Sequence, residues 1–368
     1  MVSNVRIDVM TGEYQLQVER GVLISVIVPV HNGLQVIGRC LEALRLSTYP
    51  NFEVLVVDDC STDATPQIVK HFRVQCLTTP RKIGPAGARN LGAKHCIGEI
   101  LAFVDADVVL PPEALGIMAE AFVRDPRLAA VFGSYDDEPA CRTFISQYKN
   151  LLHHYVHQSS PEQASTFWAG CGAVRKRIFQ IVGGFDETTY TTSSVEDIAL
   201  GLELTTRGEP IRLERRLTVK HLKQWTVSSL LRIDIFGRAV PWTRLILKSG
   251  QVPRTLNLTY RSRISAVLVG VLVGICLSLL AFASVRRNLL SSAIFGVAIT
   301  SAVLLMLNCD IYRFFWRKRG LLFAARAIAV HWAYYLYSGL TFVIVAAHAL
   351  LSWRLSTWFG RQSRQARV

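Results

Sequence analysis

Apolar residues fall into two regimes along this chain. In the first part they form short runs separated by polar, helix-spaced segments. Leu23–Val30 (LISVIVPV), Phe52–Val57 (FEVLVV) and Ile100–Val104 (ILAFV) are continuous and short, as buried strands are. Leu34–Leu46, Ala64–Phe72 and Gly87–His95 carry helical spacing, and Ser61-Thr62-Asp63 supplies capping residues ahead of the second. This alternation predicts an α/β domain with a doubly wound, mainly parallel sheet. Ligands then bind at the carboxyl ends of its strands.

The later regime is different. Residues 264–283, 289–309 and 327–351 are apolar stretches near the roughly 20 residues that cross a bilayer as a helix. They predict a membrane region over 261–353 with two or three helices. Trp332, Tyr334, Tyr335 and Tyr337 suit an interfacial belt at the start of the third. Ahead of them, Trp225–Lys248 mixes Leu230, Leu231, Ile233, Ile235 and Phe236 with Arg232, Arg238 and Arg244. Residues 226–260 therefore read as interfacial amphipathic helices, broken near Pro241. Residues 1–21 form an N-terminal extension without a secretory apolar core, and 354–368 a basic tail.

Charge sharpens this division. The net charge is +14, and 24 of the 41 Lys and Arg, but only 5 of the 27 Asp and Glu, lie from Gly201 onward. These basic residues flank apolar runs, which points to anionic lipid headgroups and away from nucleic acid. The mean hydropathy of +0.29 agrees with a membrane-associated chain. The basic segment Arg313–Arg326 is expected on the cytoplasmic side. A third span would export the arginines of the tail, so span number and topology stay open. None of the 8 cysteines forms a Cys-X-X-Cys pair, as expected of reduced thiols in a cytosolic domain. The expected location is the inner (cytoplasmic) membrane, multi-pass, with the front domain in the cytoplasm.

Candidate chemistry sits where the strands end. Asp105-Ala106-Asp107 follows ILAFV, and residues two apart on an extended segment point to the same side. Two carboxylates so close repel unless a cation neutralises them. Hard oxygen ligands suit Mg²⁺ or Mn²⁺. Asp58 and Asp59 follow FEVLVV, where one of them could equally cap a helix. Glu196-Asp197 opens the helical pattern SVEDIALGLEL, where acidic residues also favour the helix dipole. Trp168–Val174 (WAGCGAV) combines an aromatic with two glycines, which allow close backbone approach.

Taken in order, ISVIVPVHNG, VVDDCSTDAT, GPAGARNLG, FVDADVV, WAGCGAVRK, GGFDE and VEDIALGLEL resemble the motifs of family 2 glycosyltransferases with the GT-A fold. The resemblance covers residues 22–225. It implies an inverting enzyme that moves one sugar from a nucleotide-diphospho-sugar to an acceptor, with Mg²⁺ or Mn²⁺. Val28 and Pro29 would border the base, and Asp58 or Asp59 would accept a hydrogen bond from base or ribose. Arg89 would lie near the diphosphate. Asp107 would be the metal ligand, Asp105 a contact to ribose, sugar or metal, and His221 a further metal or diphosphate ligand. Gly170 and Gly172 would lie under the donor sugar, with Trp168 and Trp225 on the acceptor side. Asp197 would be the general base, with Glu196 beside it.

The membrane helices make a lipid-linked or other membrane-associated acceptor the expected partner, alongside membrane lipids. Processive polysaccharide synthases of this family carry Gln-X-X-Arg-Trp near residue 225. Here the sequence is His-Leu-Lys-Gln-Trp, which argues against that alternative. A catalytically idle scaffold is the other, and the complete acidic set argues against it.

Overall fold

The computed structural model describes residues 21–251, 256–282 and 287–365, with only the helix path given over 353–365. The N-terminal extension apart from Gly21, the first arginine of the Arg286-Arg287 turn, and the end of the basic tail lie outside the described residues. The chain divides into two compact units. One is formed by residues up to Arg142 together with His157–Gln224, the other by Thr143–Val156 with the chain from Trp225 onward.

In the first unit strands and helices follow one another as β1 (Ile24–Val30), α1 (Ile37–Arg45), β2 (Phe52–Asp58), α2 (Thr65–His71), β3 (Gln75–Thr78), α3 (Gly84–His95), β4 (Ile100–Val104), β5 (Val108–Val109), α4 (Ala114–Arg124) and β6 (Ala130–Tyr135). Then come α5 (Phe144–Ser159), whose residues up to Val156 belong to the second unit, β7 (Gln163–Ala164), β8 (Cys171–Arg175), α6 (Lys176–Ile181), α7 (Glu196–Thr206) and β9 (Ile211–His221). The sheet order is β3-β2-β1-β4-β8-β6-β9-β5, with β7 also on β9.

The sheet is mixed, not mainly parallel. β1 pairs in parallel with β2 and β4, and β2 with β3. β8 enters antiparallel between β4 and β6, and β5 and β7 pair antiparallel with β9. The periodicity of β8 cannot reveal its direction, because a strand covered on both faces reads as apolar either way. Every residue of β1 and β4 is buried. Side chains of β1 alternate between two cores, as the pleat requires. Val26 and Val28 pack with α1 and α4, and Ile27 with α3 and α7. Helices thus cover both faces, and the strand order reverses between β1 and β4, where a crevice opens beyond their carboxyl ends.

The second unit is helical. It contains α8 (Val227–Arg232), a π-helical stretch Ile233–Ala239, α9 (Val240–Ser249), α10 (Tyr260–Phe282), α11 (Arg287–Leu307), α12 (Cys309–Arg319) and α13 (Leu321–Gln365). Thr226 caps α8 through a reciprocal bond pair with Ser229. The expected break near Pro241 is absent. Pro241 falls in the first turn of α9, where a missing N–H costs little, and the chain stays helical through the wide turn before it.

Three helices are long and apolar enough to cross a membrane, over Tyr260–Leu280, Leu290–Leu307 and Leu321–Ser352. The basic segment Arg313–Arg326 is not a loop. It forms the end of α12 and the first turns of α13, and Phe315, Ala324 and Ala327 pack there against Tyr148 and Leu151 of α5. Asn308 ties the membrane helices together. Its Nδ2 donates to Ser265 Oγ (3.0 Å), and its Oδ1 accepts from the Tyr335 hydroxyl (3.0 Å). All 8 cysteines are unpaired.

Candidate active site

The turn after β4 brings the acidic residues to the crevice. Asp105 N–H donates to Gly170 O (3.1 Å), which continues the β4–β8 pairing one residue past the strand. Beyond it, the short β5 runs antiparallel to the end of β9, with Val108 opposite His221, and Leu222 N–H donates to Asp107 O (2.9 Å). This pairing sets His221 Nε2 3.5 Å from Asp107 Oδ2. The Tyr135 ring, at the end of β6, stacks on the His221 imidazole at 4.1 Å between centroids. Burial pushes the Asp107 carboxyl upward, but His221 and the Lys223 charge outweigh it and hold it below the usual carboxylate range.

Asp105 takes a different partner. Arg89, on α3 and almost fully buried, donates from one Nη to Asp105 Oδ1 (2.8 Å) and from the other to Glu196 Oε1 (2.9 Å). Its guanidinium also lies 5.4 Å from the Phe185 ring centroid, which accounts for the apolar residue of GGFDE. Burial raises the Asp105 pKa, Arg89 opposes the rise, and the Asp107 charge adds to it. Arg89 therefore bridges two carboxylates, one from the turn after β4 and one from the start of α7. Two acids so close would repel without that cation.

Asp197 stands in the first turn of α7. Its Oδ2 accepts from Ala169 N–H (3.2 Å) and its Oδ1 from Ile198 N–H (2.8 Å). Burial and the neighbouring Glu196 charge push its pKa up to about 7, against the pull of Arg89. A carboxyl so poised can exchange a proton near neutral pH. Gly201 locks α7 in place, since a Cβ there would meet Phe167 N at 2.2 Å.

The two expected donor glycines serve the chain itself. A Cβ on Gly170 would meet the Trp168 indole at 2.5 Å, and one on Gly172 would meet Trp168 O at 2.5 Å and the Phe167 ring at 2.7 Å. Their small size admits aromatic rings of this chain. Trp168 itself sits edge-on to Tyr135, with 4.9 Å between centroids.

The Asp58–Asp59 alternative resolves by hydrogen bonding. Asp59 accepts from Thr79 Oγ1 (3.0 Å), Ile83 N–H (2.7 Å) and Gly84 N–H (2.8 Å), so it caps α3 from across the sheet. Asp58 Oδ1 accepts from Ser61 N–H (3.3 Å), while its Oδ2 is buried without a hydrogen-bond partner. Pro29 is buried within β1, beside Val57. Asp63 accepts from Thr65 N–H (3.0 Å) and Leu34 N–H (3.2 Å), which explains the capping sequence before α2. Trp225 belongs to the second unit. It is buried, and its backbone N–H donates to Ser146 Oγ (2.8 Å).

Among the described residues, no three His, Cys, Asp or Glu side chains converge into a metal cage. Of the expected set, Asp107 and His221 stand side by side, while Arg89 donates to Asp105 Oδ1. One carboxylate and one imidazole suit a divalent cation whose remaining ligands are substrate oxygens. Lys223 and Tyr135 are the residues that the sequence pattern did not single out. Lys223 had one available signal, a two-residue spacing from His221; Tyr135 had none.

The model of glycosyl transferase family 2 matches residues 25–183. Over 117 residues the chain is 32% identical to the UDP-Glc:alpha-D-GlcNAc-diphosphoundecaprenol beta-1,3-glucosyltransferase WfgD of Escherichia coli, covering 31% of this chain and 46% of that protein. Over 118 residues it is 33% identical to the glycosyltransferase GlyG of Streptococcus pneumoniae serotype 4, covering 31% of this chain and 39% of that protein. The chain thus spans less than half the length of either relative. Among solved structures, the mannosyltransferase PcManGT from Pyrobaculum calidifontis, in complex with GDP-Man and Mn²⁺, shares the fold. The TM-score is 0.53 at 19% identity, over 90% of this chain and 87% of that one. Residues 25–183 are a glycosyl transferase family 2 domain, in a GT-A-like mixed sheet that helices apolar enough to span a membrane follow.

Proposed function

We propose that the protein is an inverting glycosyltransferase that moves one sugar from a nucleotide-diphospho-sugar to a lipid-linked acceptor at the cytoplasmic membrane face. The observation that carries this reading is Asp197, a carboxyl raised to about 7 in the same acidic cluster as Arg89, Asp105 and Glu196. Asp197 takes the proton of the acceptor hydroxyl as that oxygen attacks the anomeric carbon, and the nucleoside diphosphate leaves with the bonding electrons. One displacement with one base inverts the anomeric centre.

Glu196 and Arg89 set the charge around that base, and Arg89 also orients Asp105 towards the donor. Asp58 Oδ2, buried and unpaired, suits an N–H of the base, which must part the residues over it to bind. Asp107 and His221 would hold Mg²⁺ or Mn²⁺, which when bound offsets the charge of the leaving diphosphate. Lys223 adds a cation on the same side. Support for the lipid-linked acceptor comes from the three apolar helices and from the diphosphoundecaprenol acceptor in the name of one relative.

The test incubates the detergent-purified full chain with individual nucleotide sugars, Mn²⁺ and a bacterial lipid extract. Nucleoside diphosphate release and a lipid gaining the mass of one sugar are expected, and EDTA should stop both. Release of pyrophosphate, or no consumption of any nucleotide sugar, would overturn the reading.

A further inference from the structure

Within the second unit a cavity of about 120 Å³ is lined by Lys149, Asp234, Arg238, Trp242, Leu258 and Phe342, among others. None of these residues figures in the transfer reaction above, and the cavity raises a separate question. One end of it is charged. Lys149 Nζ donates to both Asp234 oxygens (2.6 and 2.8 Å), and the Tyr337 hydroxyl donates to Oδ2 (2.8 Å). Burial pushes the Asp234 carboxyl upward, but Lys149 and Arg238 hold it below its ordinary value, so it is ionised at neutral pH. Lys149 and Asp234 then cancel, and the Arg238 guanidinium, 3.7 Å from Asp234 Oδ1 and half exposed, leaves one positive charge.

The other walls are apolar. Ile246 of α9, Leu258 and Phe342 line them. Phe342 lies on α13 two turns beyond Tyr334, within the segment apolar enough to cross a membrane. Trp242, four residues after Arg238, also lines the cavity. Its Nε1–H is buried and has no acceptor among the described residues. Indole nitrogen donates only, and a buried donor without an acceptor costs about 1–3 kcal/mol. A ligand oxygen beside Arg238 would satisfy both groups. The cavity is smaller than the roughly 300 Å³ of sites that enclose a whole small molecule. A group that fills only the polar end, with an apolar tail running on along α13, fits it better.

We propose that this cavity binds the phosphate headgroup of an anionic membrane lipid, with Arg238 and Trp242 Nε1 as donors and the lipid tail against Phe342. A zwitterionic lipid satisfies the charge less well, since its own cation would meet Arg238. Inorganic phosphate satisfies the donors but leaves the apolar wall empty.

The full chain in detergent is titrated with phosphatidylglycerol or phosphatidylcholine, and lipid retained per chain is counted by native mass spectrometry. One tightly held phosphatidylglycerol per chain is expected, with phosphatidylcholine held at least about tenfold more weakly. Arg238→Ala should weaken retention about tenfold or more, the scale of a charge-assisted bond, and Trp242→Phe about fivefold. Trp242→Phe keeps the ring and protects the test if Arg238→Ala folds poorly. Arg244→Ala, on the same helix but outside the cavity lining, should leave retention unchanged. Equal retention by wild type and both cavity variants, an equal loss in Arg244→Ala, or displacement of the lipid by millimolar inorganic phosphate would each overturn the proposal.

Discussion

His221 Nε2 stands 3.5 Å from Asp107 Oδ2 because the last residue of β9 pairs with the first residue of β5. A two-residue strand thus brings a group from the middle of the domain sequence to one at its end. The backbone bond from Leu222 N–H to Asp107 O fixes the register, so the pair does not depend on side-chain flexibility alone.

Removing either member should therefore weaken donor binding without unfolding the domain. Asp107→Ala and His221→Ala are each expected to abolish the Mn²⁺-dependent rise in melting temperature caused by nucleotide sugar, which reports binding by mass action. The melting temperature without ligand should change little in Asp107→Ala, whose side chain is more than a quarter exposed. A ligand-induced rise that persists in both variants, and in EDTA, would exclude the pair as the metal site.

Asp197→Asn should separate binding from chemistry. The substitution is nearly isosteric but cannot take a proton, so turnover should fall about 10²-fold or more while donor affinity stays near normal. Wild-type turnover in Asp197→Asn, with a dead Glu196→Gln, would reverse the two roles.

The pH profile of kcat/KM follows from the same group. Asp197 acts as a base only when unprotonated, and its pKa lies at about 7. Activity should rise with pH through about 7 and level off above it. At pH 6 most of the enzyme should be protonated and slow. A profile flat from pH 5.5 to 8 would remove Asp197 as the titrating base.

Arg89→Met tests whether the guanidinium serves the fold or the phosphates. It is buried between two carboxylates, and removing one partner of a buried ion pair costs about 3–5 kcal/mol. Asp105 is about one-third exposed, which moves the expectation to the lower end. Chemical denaturation should show that loss. An unchanged midpoint with lost donor affinity would instead place Arg89 on the diphosphate.

Gly201→Ala probes the seat of α7. A Cβ there meets the backbone at Phe167 N, 2.2 Å away, so the helix or the loop must shift. A loss of about 1–3 kcal/mol is expected, the scale of overpacking. Turnover should fall as well, because the bond from Ala169 N–H to Asp197 depends on the same contact. Wild-type stability and turnover would show that the seat is not needed.

Much of this protein was legible in its sequence for local reasons. The runs ISVIVPV and ILAFV are strands because a parallel strand covered on both faces has nowhere to place a polar side chain. The three apolar stretches became three long helices because length and composition alone decide whether a helix suits a bilayer. The acidic pairs lie at strand ends because a charge inside the sheet would lack water.

Other features depended on contacts between distant residues, to which local patterning is blind. Which of Asp58 and Asp59 caps a helix was settled by α3 arriving from across the sheet to offer Ile83 and Gly84 N–H groups. That Arg89 pairs with two carboxylates, one following β4 and one opening α7, was likewise decided by the tertiary structure. The missing side chains of Gly170 and Gly172 make room for Trp168 and Phe167, a contact that spacing does not show. Residues 143–156, which lie inside the front domain in sequence, pack their Tyr148 and Leu151 with α12 and α13, because an apolar helix face is buried wherever matching apolar surface is found.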